Sequence, residues 1–239
     1  MKKSIVLVMV VVLLTLGLLI GCGGIFVTGS GTPISETYNF SDFTEVEAHN
    51  GFQLEVTKSS TFNVEITIDD NVKEYLEVSK SGNTLRIRLT GNRVYSSITF
   101  QANITMPELY GIELSGGSRA SITGFNSSND FSVELSGGSR VSGEITAADT
   151  DFNLSGGSRV DLAGSADDLV VNGSGGSQLD LENFSVANAD IKLSGGGSAT
   201  INLSGTLDVN LSGGSKVIYV GEPNMGDIDT SGGSTISKK

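Results

Sequence analysis

The chain has 239 residues, 32 of them glycine, and carries 15 basic against 27 acidic side chains, for a formal net charge of −12. Such a surface repels nucleic acid and anionic lipid, which excludes a DNA- or RNA-binding role. With one cysteine and one histidine, neither a disulfide framework nor a zinc site of clustered His and Cys can be assembled.

Residues 1–21 read MKKSIVLVMVVVLLTLGLLIG: Lys2 and Lys3, an apolar run from Ile5 to Ile20, then a small residue. That is the layout of a secretory signal. The only cysteine follows, and Leu19-Ile20-Gly21-Cys22 looks like a bacterial lipobox, after which the leader is cleaved and Cys22 acylated. The rival reading is an uncleaved membrane helix, since no residue from Ile5 to Val27 is charged. Gly17, Gly21, Gly23 and Gly24 weaken a helix there. Either way Lys2 and Lys3 hold the N-terminus inside, so residues after 30 lie outside the cytoplasm. The expected partner of the N-terminus is therefore a membrane, and the chain is exported and anchored at the cell envelope or surface.

Residues 22–40 are expected to be anchor and tether, flexible through the Gly/Ser/Thr-rich stretch at 23–35. Residues 41–110 read as irregular first turns of the domain that follows. FTEVEAHNGFQLEVT (43–57) alternates as two strands around His49-Asn50-Gly51, and TFNVEITI (61–68) is a third. DDNVKEYLEV (69–78) predicts one or two helical turns capped by Asp69 or Asp70. NTLRIRL (83–89) and SSITFQANITM (96–106) return to strand. These turns are expected to cap the end of the apolar core.

From residue 111 the chain repeats. LSGGSR occurs at 114–119, 135–140 and 154–159. Corner serines Ser115, Ser136, Ser155, Ser174, Ser194, Ser212 and Ser231 follow one another at intervals of 18 to 21 residues. One residue before each corner stand Leu114, Leu135, Leu154, Gly173, Leu193, Leu211 and Thr230; three before stand Ile112, Val133, Phe152, Val171, Ile191, Val209 and Ile228. Five after stand Ala120, Val141, Val160, Leu179, Ala199, Val217 and Ile236. Alternation on both sides of a glycine corner means strand, bend, strand. Two strands in about 19–20 residues describe one turn of a parallel β-helix, whose turns stack at ~4.8 Å because none can bury its apolar face alone. The fold class is therefore all-β, a right-handed parallel β-helix over 111–239 with an irregular N-terminal cap. The hand follows from the crossover preference of parallel strands.

The stretches FTEVEAHNGFQLEVT, DDNVKEYLEV, GNTLRIRL and ITMPELYGIELSGGS, followed by serial LSGGS units, resemble the auto-transporter adhesin "head GIN" domain family over roughly residues 41–225. The resemblance implies an extracytoplasmic β-helical domain of bacterial surface proteins and lipoproteins. It brings no catalytic residues.

Three columns of side chains are candidates for chemistry. Four residues after each corner serine stand Arg119, Arg140, Arg159, Gln178, Ser198, Lys216 and Thr235. Stacking would align the guanidinium groups as a strip for carboxylates or sulfates on a polymer, since Arg grips planar anions with two hydrogen bonds. Six before the corner stand Asp130, Asp149, Asp168 and Asn188, and four before stand Asp151, Asp190, Asp208 and Asp227. Calcium accepts such oxygen sets, although a solubilising surface accounts for them as well. His49 reads as a solvated turn residue. β-Helical polysaccharide lyases and hydrolases need paired carboxylates or a basic residue beside a cation, and no break in the repeat marks such a site. The expectation is a non-enzymatic, membrane-anchored surface module for adhesion or binding to an extended polymer such as a polysaccharide, without a cofactor. The alternatives are a structural envelope spacer and a β-helical carbohydrate-active enzyme.

Overall fold

The computed structural model describes residues 25–239; the leader and Cys22 lie outside them. Before the repeat come β1 (Ile25–Thr28), β2 (Pro33–Tyr38), β3 (Glu45–Ala48), β4 (Gln53–Lys58), β5 (Asn63–Asp69), β6 (Leu76–Ser81), β7 (Thr84–Leu89), β8 (Arg93–Ser96) and β9 (Phe100–Met106). The repeat then alternates between two sheets. The first holds β10 (Gly111–Leu114), β12 (Phe131–Leu135), β14 (Thr150–Leu154), β16 (Asp168–Gly173), β18 (Asn188–Leu193), β20 (Thr206–Leu211) and β22 (Asn224–Thr230) as successive parallel neighbours. The second holds β11 (Arg119–Asn126), β13 (Arg140–Thr146), β15 (Arg159–Ser165), β17 (Gln178–Val186), β19 (Ser198–Leu203), β21 (Lys216–Val220) and β23 (Thr235–Lys238). Each turn gives one strand to each sheet, which is the parallel β-helix that the period predicts.

The columns fall where the spacing puts them. Ile112, Val133, Phe152, Val171, Ile191 and Val209 stack in register in the first sheet. Ala120, Val141, Val160, Leu179, Ala199 and Val217 do so in the second. All are buried in one core. Gly173, the one glycine in the leucine column, has a packing reason. A Cβ there would lie 2.5 Å from Leu193 Cδ2, so the next layer's leucine fills its space.

The corner is a tight turn whose first glycine, and in most corners the second as well, is left-handed. In the first one Gly116 has φ 63° and Gly117 φ 82°, angles that a side chain disfavours. The turn closes on Ser118, whose hydroxyl donates to the Ser115 carbonyl at 2.9 Å. Ser139, Ser158, Ser177 and Ser215 repeat that bond at 2.6–2.8 Å and, like Ser118, are buried. An unpaired hydroxyl would be costly in that position, and this one is paired within its own turn. The corner Ser194-Gly195-Gly196-Gly197 lacks the hydroxyl.

The N-terminal part differs in order from a simple continuation of the rod. In the first sheet β3 lies between β7 and β10, and in the second β4 lies between β9 and β11. The turn made by β7 and β9 is thus the outer layer, and the earlier turn of β3 and β4 is buried beneath it. His49-Asn50-Gly51-Phe52 aligns with Ser115-Gly116-Gly117-Ser118 and is the same corner, with Asn50 at φ 66° and Gly51 at φ 86°. Antiparallel strands close this end: β6 pairs with β7, β5 with β9, and β2 with β5. They cover the edges that parallel stacking leaves open.

Three expectations are corrected here. The stretch read as flexible tether forms β1 and β2, because PISETY alternates and pairs with β5 along its whole length. β1 also ends any uncleaved helix before Ile25. The expected helix at 69–78 is one 3-10 turn, Lys73–Tyr75, and Leu76 already belongs to β6. Asp69 and Asp70 do not cap it; they accept hydrogen bonds from the Thr99 N–H at 2.8 Å and the Ser30 hydroxyl at 2.6 Å.

The corner hydroxyl is open to a two-sided test by urea denaturation. Ser158→Ala should lower stability by about 1 kcal/mol, the typical worth of one hydrogen bond. Gly197→Ser should raise it by a similar amount, since a Cβ there meets nothing nearer than 3.4 Å.

Candidate functional site

The second sheet turns its polar side outward, and the column four residues after each corner reads Gln101, Gln53, Arg119, Arg140, Arg159, Gln178, Ser198, Lys216, Thr235. Arg119, Arg140 and Arg159 therefore occupy three successive layers, ~4.8 Å apart. Lys216 is on the same line but separated from Arg159 by Gln178 and Ser198. Stacked cations repel, and one acid relieves that repulsion. Asp161 Oδ2 lies 3.1 Å from Arg140 Nη2 and 4.0 Å from Arg159 Nη2. Arg159 Nη1 also donates to Gln178 Oε1 at 3.1 Å. Arg119 has no side-chain hydrogen bond or ion pair among the described residues. It borders a cleft of about 430 Å³ with Arg140, Gln53, Gln101 and Asn103.

The sequence reading missed Asp161. Its signal was available: it stands two residues after Arg159, on the same outward face of the same strand.

The aspartates have other work in the structure. The Asp149 N–H donates to Asp130 Oδ1 at 3.3 Å, and the Asp168 N–H to Asp149 Oδ1 at 3.1 Å. Asn188 Nδ2 donates to Asp168 Oδ1 at 2.8 Å, and Asn188 Oδ1 accepts from the Thr206 N–H at 2.8 Å. Each side chain thus ties its own bend to the next layer. Asp151 accepts from Asn153 Nδ2 at 2.8 Å, and Asp190 pairs with Lys192 at 2.6 Å. Val170 lies between Asp151 and Asp190 in register. Among the described residues no group of three or more His, Cys, Asp or Glu side chains is placed to hold a metal ion.

His49 is not a solvated turn residue. Its Nε2 lies 2.6 Å from Glu47 Oε1, and its Nδ1 is hydrogen-bonded to Ser115 Oγ in the next layer. A carboxylate only accepts, so Nε2 carries a proton and donates it to Glu47. Glu47 Oε2 in turn takes the Arg86 Nε–H at 2.6 Å. The order acid, imidazole, hydroxyl is that of a hydrolase relay. Its surroundings oppose that chemistry, because Glu113 is in register beside Glu47, and Glu134 beside Glu113. That acidic column would repel a developing oxyanion. The cluster is a fastening between the first corner and the repeat. A fluorophosphonate probe should leave Ser115 unlabelled, as read by mass spectrometry of the peptide.

The stacked glutamates titrate in opposite directions. Burial alone would raise the Glu47 carboxyl, but the hydrogen bonds from His49 and Arg86 outweigh it and hold the group below the usual carboxylate range. Glu113 is pushed up, first by burial and then by Glu47 and Glu134 on either side, against a smaller pull from His49 and Arg86.

This geometry is that of a capped parallel β-helix with polar outer faces. The chain belongs to the family described as "putative auto-transporter adhesin, head GIN domain", which matches residues 42–223. Solved structures share the fold. A putative adhesin from Bacteroides fragilis is 21% identical, with a TM-score of 0.83 over 89% of this chain and 100% of its own. A putative lipid binding protein from Parabacteroides distasonis is 18% identical, with a TM-score of 0.72 over 90% and 99%. A putative adhesin from Parabacteroides merdae is 18% identical, with a TM-score of 0.68 over 90% and 100%. No curated protein matches the chain at a significant level.

The glutamate column predicts a pH signature. The folded state holds the Glu113 proton more tightly than the unfolded chain does, so that stability is present below the usual carboxylate range and is lost as pH rises through the raised value. Glu113→Gln should therefore stabilise the protein at pH 7 and do little at pH 4. Glu47 contributes stability above the usual range and loses it as pH falls, so Glu47→Gln should destabilise at pH 7. Denaturant titrations at both pH values check each sign.

Proposed function

We propose that this chain is a non-enzymatic surface module, exported and anchored through Cys22, that grips an extended anionic polymer along Arg119, Arg140 and Arg159. Membership in a family of adhesin head domains supports the adhesin-like part of this reading. The observation that carries the rest is the register of the three arginines in successive layers. Asp161 holds two of them at fixed spacing, which lowers the cost of ordering them on a ligand. Arg119, beside the cleft, has its donors available. Carboxylated or sulfated sugars match this array, because each planar guanidinium can make two parallel hydrogen bonds to one acid group. The net charge of −12 over the whole chain limits attraction to anions at large.

The test uses retention on acidic and neutral polysaccharides at several salt concentrations. Binding should be saturable on acidic polymers and weaken with salt. Replacing Arg119, Arg140 and Arg159 together by Ser should reduce affinity about 100-fold, at about 1 kcal/mol for each contact. Retention unchanged by that replacement overturns the arginine assignment. Retention that requires calcium moves it to Asp130, Asp149 and Asp168. No retention on any polymer leaves the anchored rod as a structural spacer.

A further inference from the structure

Among the described residues the large apolar side chains left in water are Phe26, Val94, Met225 and Ile228. They sit at the two ends of the rod and not on its faces. Met225 and Ile228 belong to the outermost strand of the repeat. Phe26 and Val94 belong to a separate two-stranded parallel sheet, β1 with β8, in which they are direct partners. Phe26 is 74% exposed and Val94 47%.

Their exposure is enforced by the strands they stand on. Side chains alternate along a strand, and the neighbouring pair, Val27 with Tyr95, is packed against the core. The Tyr95 ring meets Phe100 edge-on at 6.0 Å and Tyr75 at 6.5 Å. The Arg93 guanidinium lies 3.8 Å over the Tyr75 ring. Asn71 Nδ2 donates to the Thr28 carbonyl at 2.9 Å, and the Gly29 N–H to the Ser96 carbonyl at 3.1 Å. With Val27 and Tyr95 held inward, Phe26 and Val94 can only point away from the body.

The length of chain before β1 says what they meet. Phe26 is four residues beyond Cys22, and a fully extended chain spans at most about 3.6 Å per residue, so their Cα atoms are within about 14 Å. Cys22 itself follows the uncharged run that ends the leader. An exported chain held at Cys22 therefore carries Phe26 at the depth of the lipid headgroups, where aromatic and aliphatic side chains are favoured.

We infer that Phe26 and Val94 form an apolar wedge that seats the N-terminal end of the rod in the interface of the membrane carrying its anchor. The ligand is the lipid surface itself. The wedge adds a second contact to the covalent one. It also sets the rod's posture, because β1 is part of the folded body and only Gly23 and Gly24 stand between it and Cys22 in the sequence. This inference rests on the anchoring proposed above.

The chain has no tryptophan, so one substitution supplies a unique probe. The full-length protein, purified with its native N-terminus and reconstituted into vesicles of phosphatidylcholine and phosphatidylethanolamine, would carry Phe26→Trp, Val94→Trp or Met225→Trp. The first two should emit at shorter wavelength on vesicles and be quenched by brominated phosphatidylcholine. Met225→Trp, at the far end, should remain as in water. If the protein sediments with vesicles while Phe26→Trp keeps a water-like, unquenched emission, the wedge is overturned and the anchoring stands. If no variant sediments with vesicles, the anchoring fails and the wedge with it. A concentration-dependent shift without quenching would show a second copy on the patch and also overturns the inference.

Discussion

The parallel backbone ladder, with one residue of each turn in register with the same residue of the next, is the constraint from which the rest of this molecule follows. It needs every turn to bend at the same place, and the Ser-Gly-Gly-Ser corner supplies that bend with left-handed glycine and a buried hydroxyl on its own carbonyl. Ser118, Ser139, Ser158, Ser177 and Ser215 are at most 1% exposed and all satisfied. Corner and ladder support one another: the turn holds the layers in register, and the register keeps the turn's polar groups paired.

The same constraint creates an electrostatic problem, because equal side chains are forced to stand one layer apart. Several local solutions are visible. Asp130, Asp149 and Asp168 point an oxygen at an N–H of the following layer, which joins the layers. Asp161 sits between Arg140 and Arg159. Arg86 neutralises Glu47, and His49 hydrogen-bonds to it. Glu113 is the position without such relief, held between Glu47 and Glu134, and its raised affinity for a proton is the residue of that conflict. Charge columns on this rod are thus part of its construction, and a ligand competes with partners already in place except at Arg119.

The two ends are treated differently. At the N-terminal end the chain lays down the β3 and β4 turn, covers it with β7 and β9, and finishes with antiparallel β2, β5 and β6. A parallel stack cannot end itself, since its last strand always presents unpaired backbone, so the reversal of direction is what closes it. At the other end β22 is exposed along its whole length. The N-terminal end is therefore the finished one, and the added sheet of β1 and β8 is fixed to it.

By itself the sequence determined the period, the corner, the inward columns and the alignment of Arg119, Arg140 and Arg159, because a stack of equal turns converts spacing along the chain directly into neighbours in space. It also carried the family likeness. Only the tertiary structure decided what breaks the period. The burial of β3 between β7 and β10 leaves no trace in spacing, since that layer order runs against chain order. The pairing of PISETY with β5 made strand of a stretch whose composition reads as tether. His49, solitary in the sequence, acquired Glu47 and Ser115 as partners because its corner lies one layer below the first Ser-Gly-Gly-Ser turn, 66 residues further along the chain. Local pattern shows which side chains face in and which face out. Which outward side chains meet across layers depends on a register that, outside the repeat, the fold alone sets.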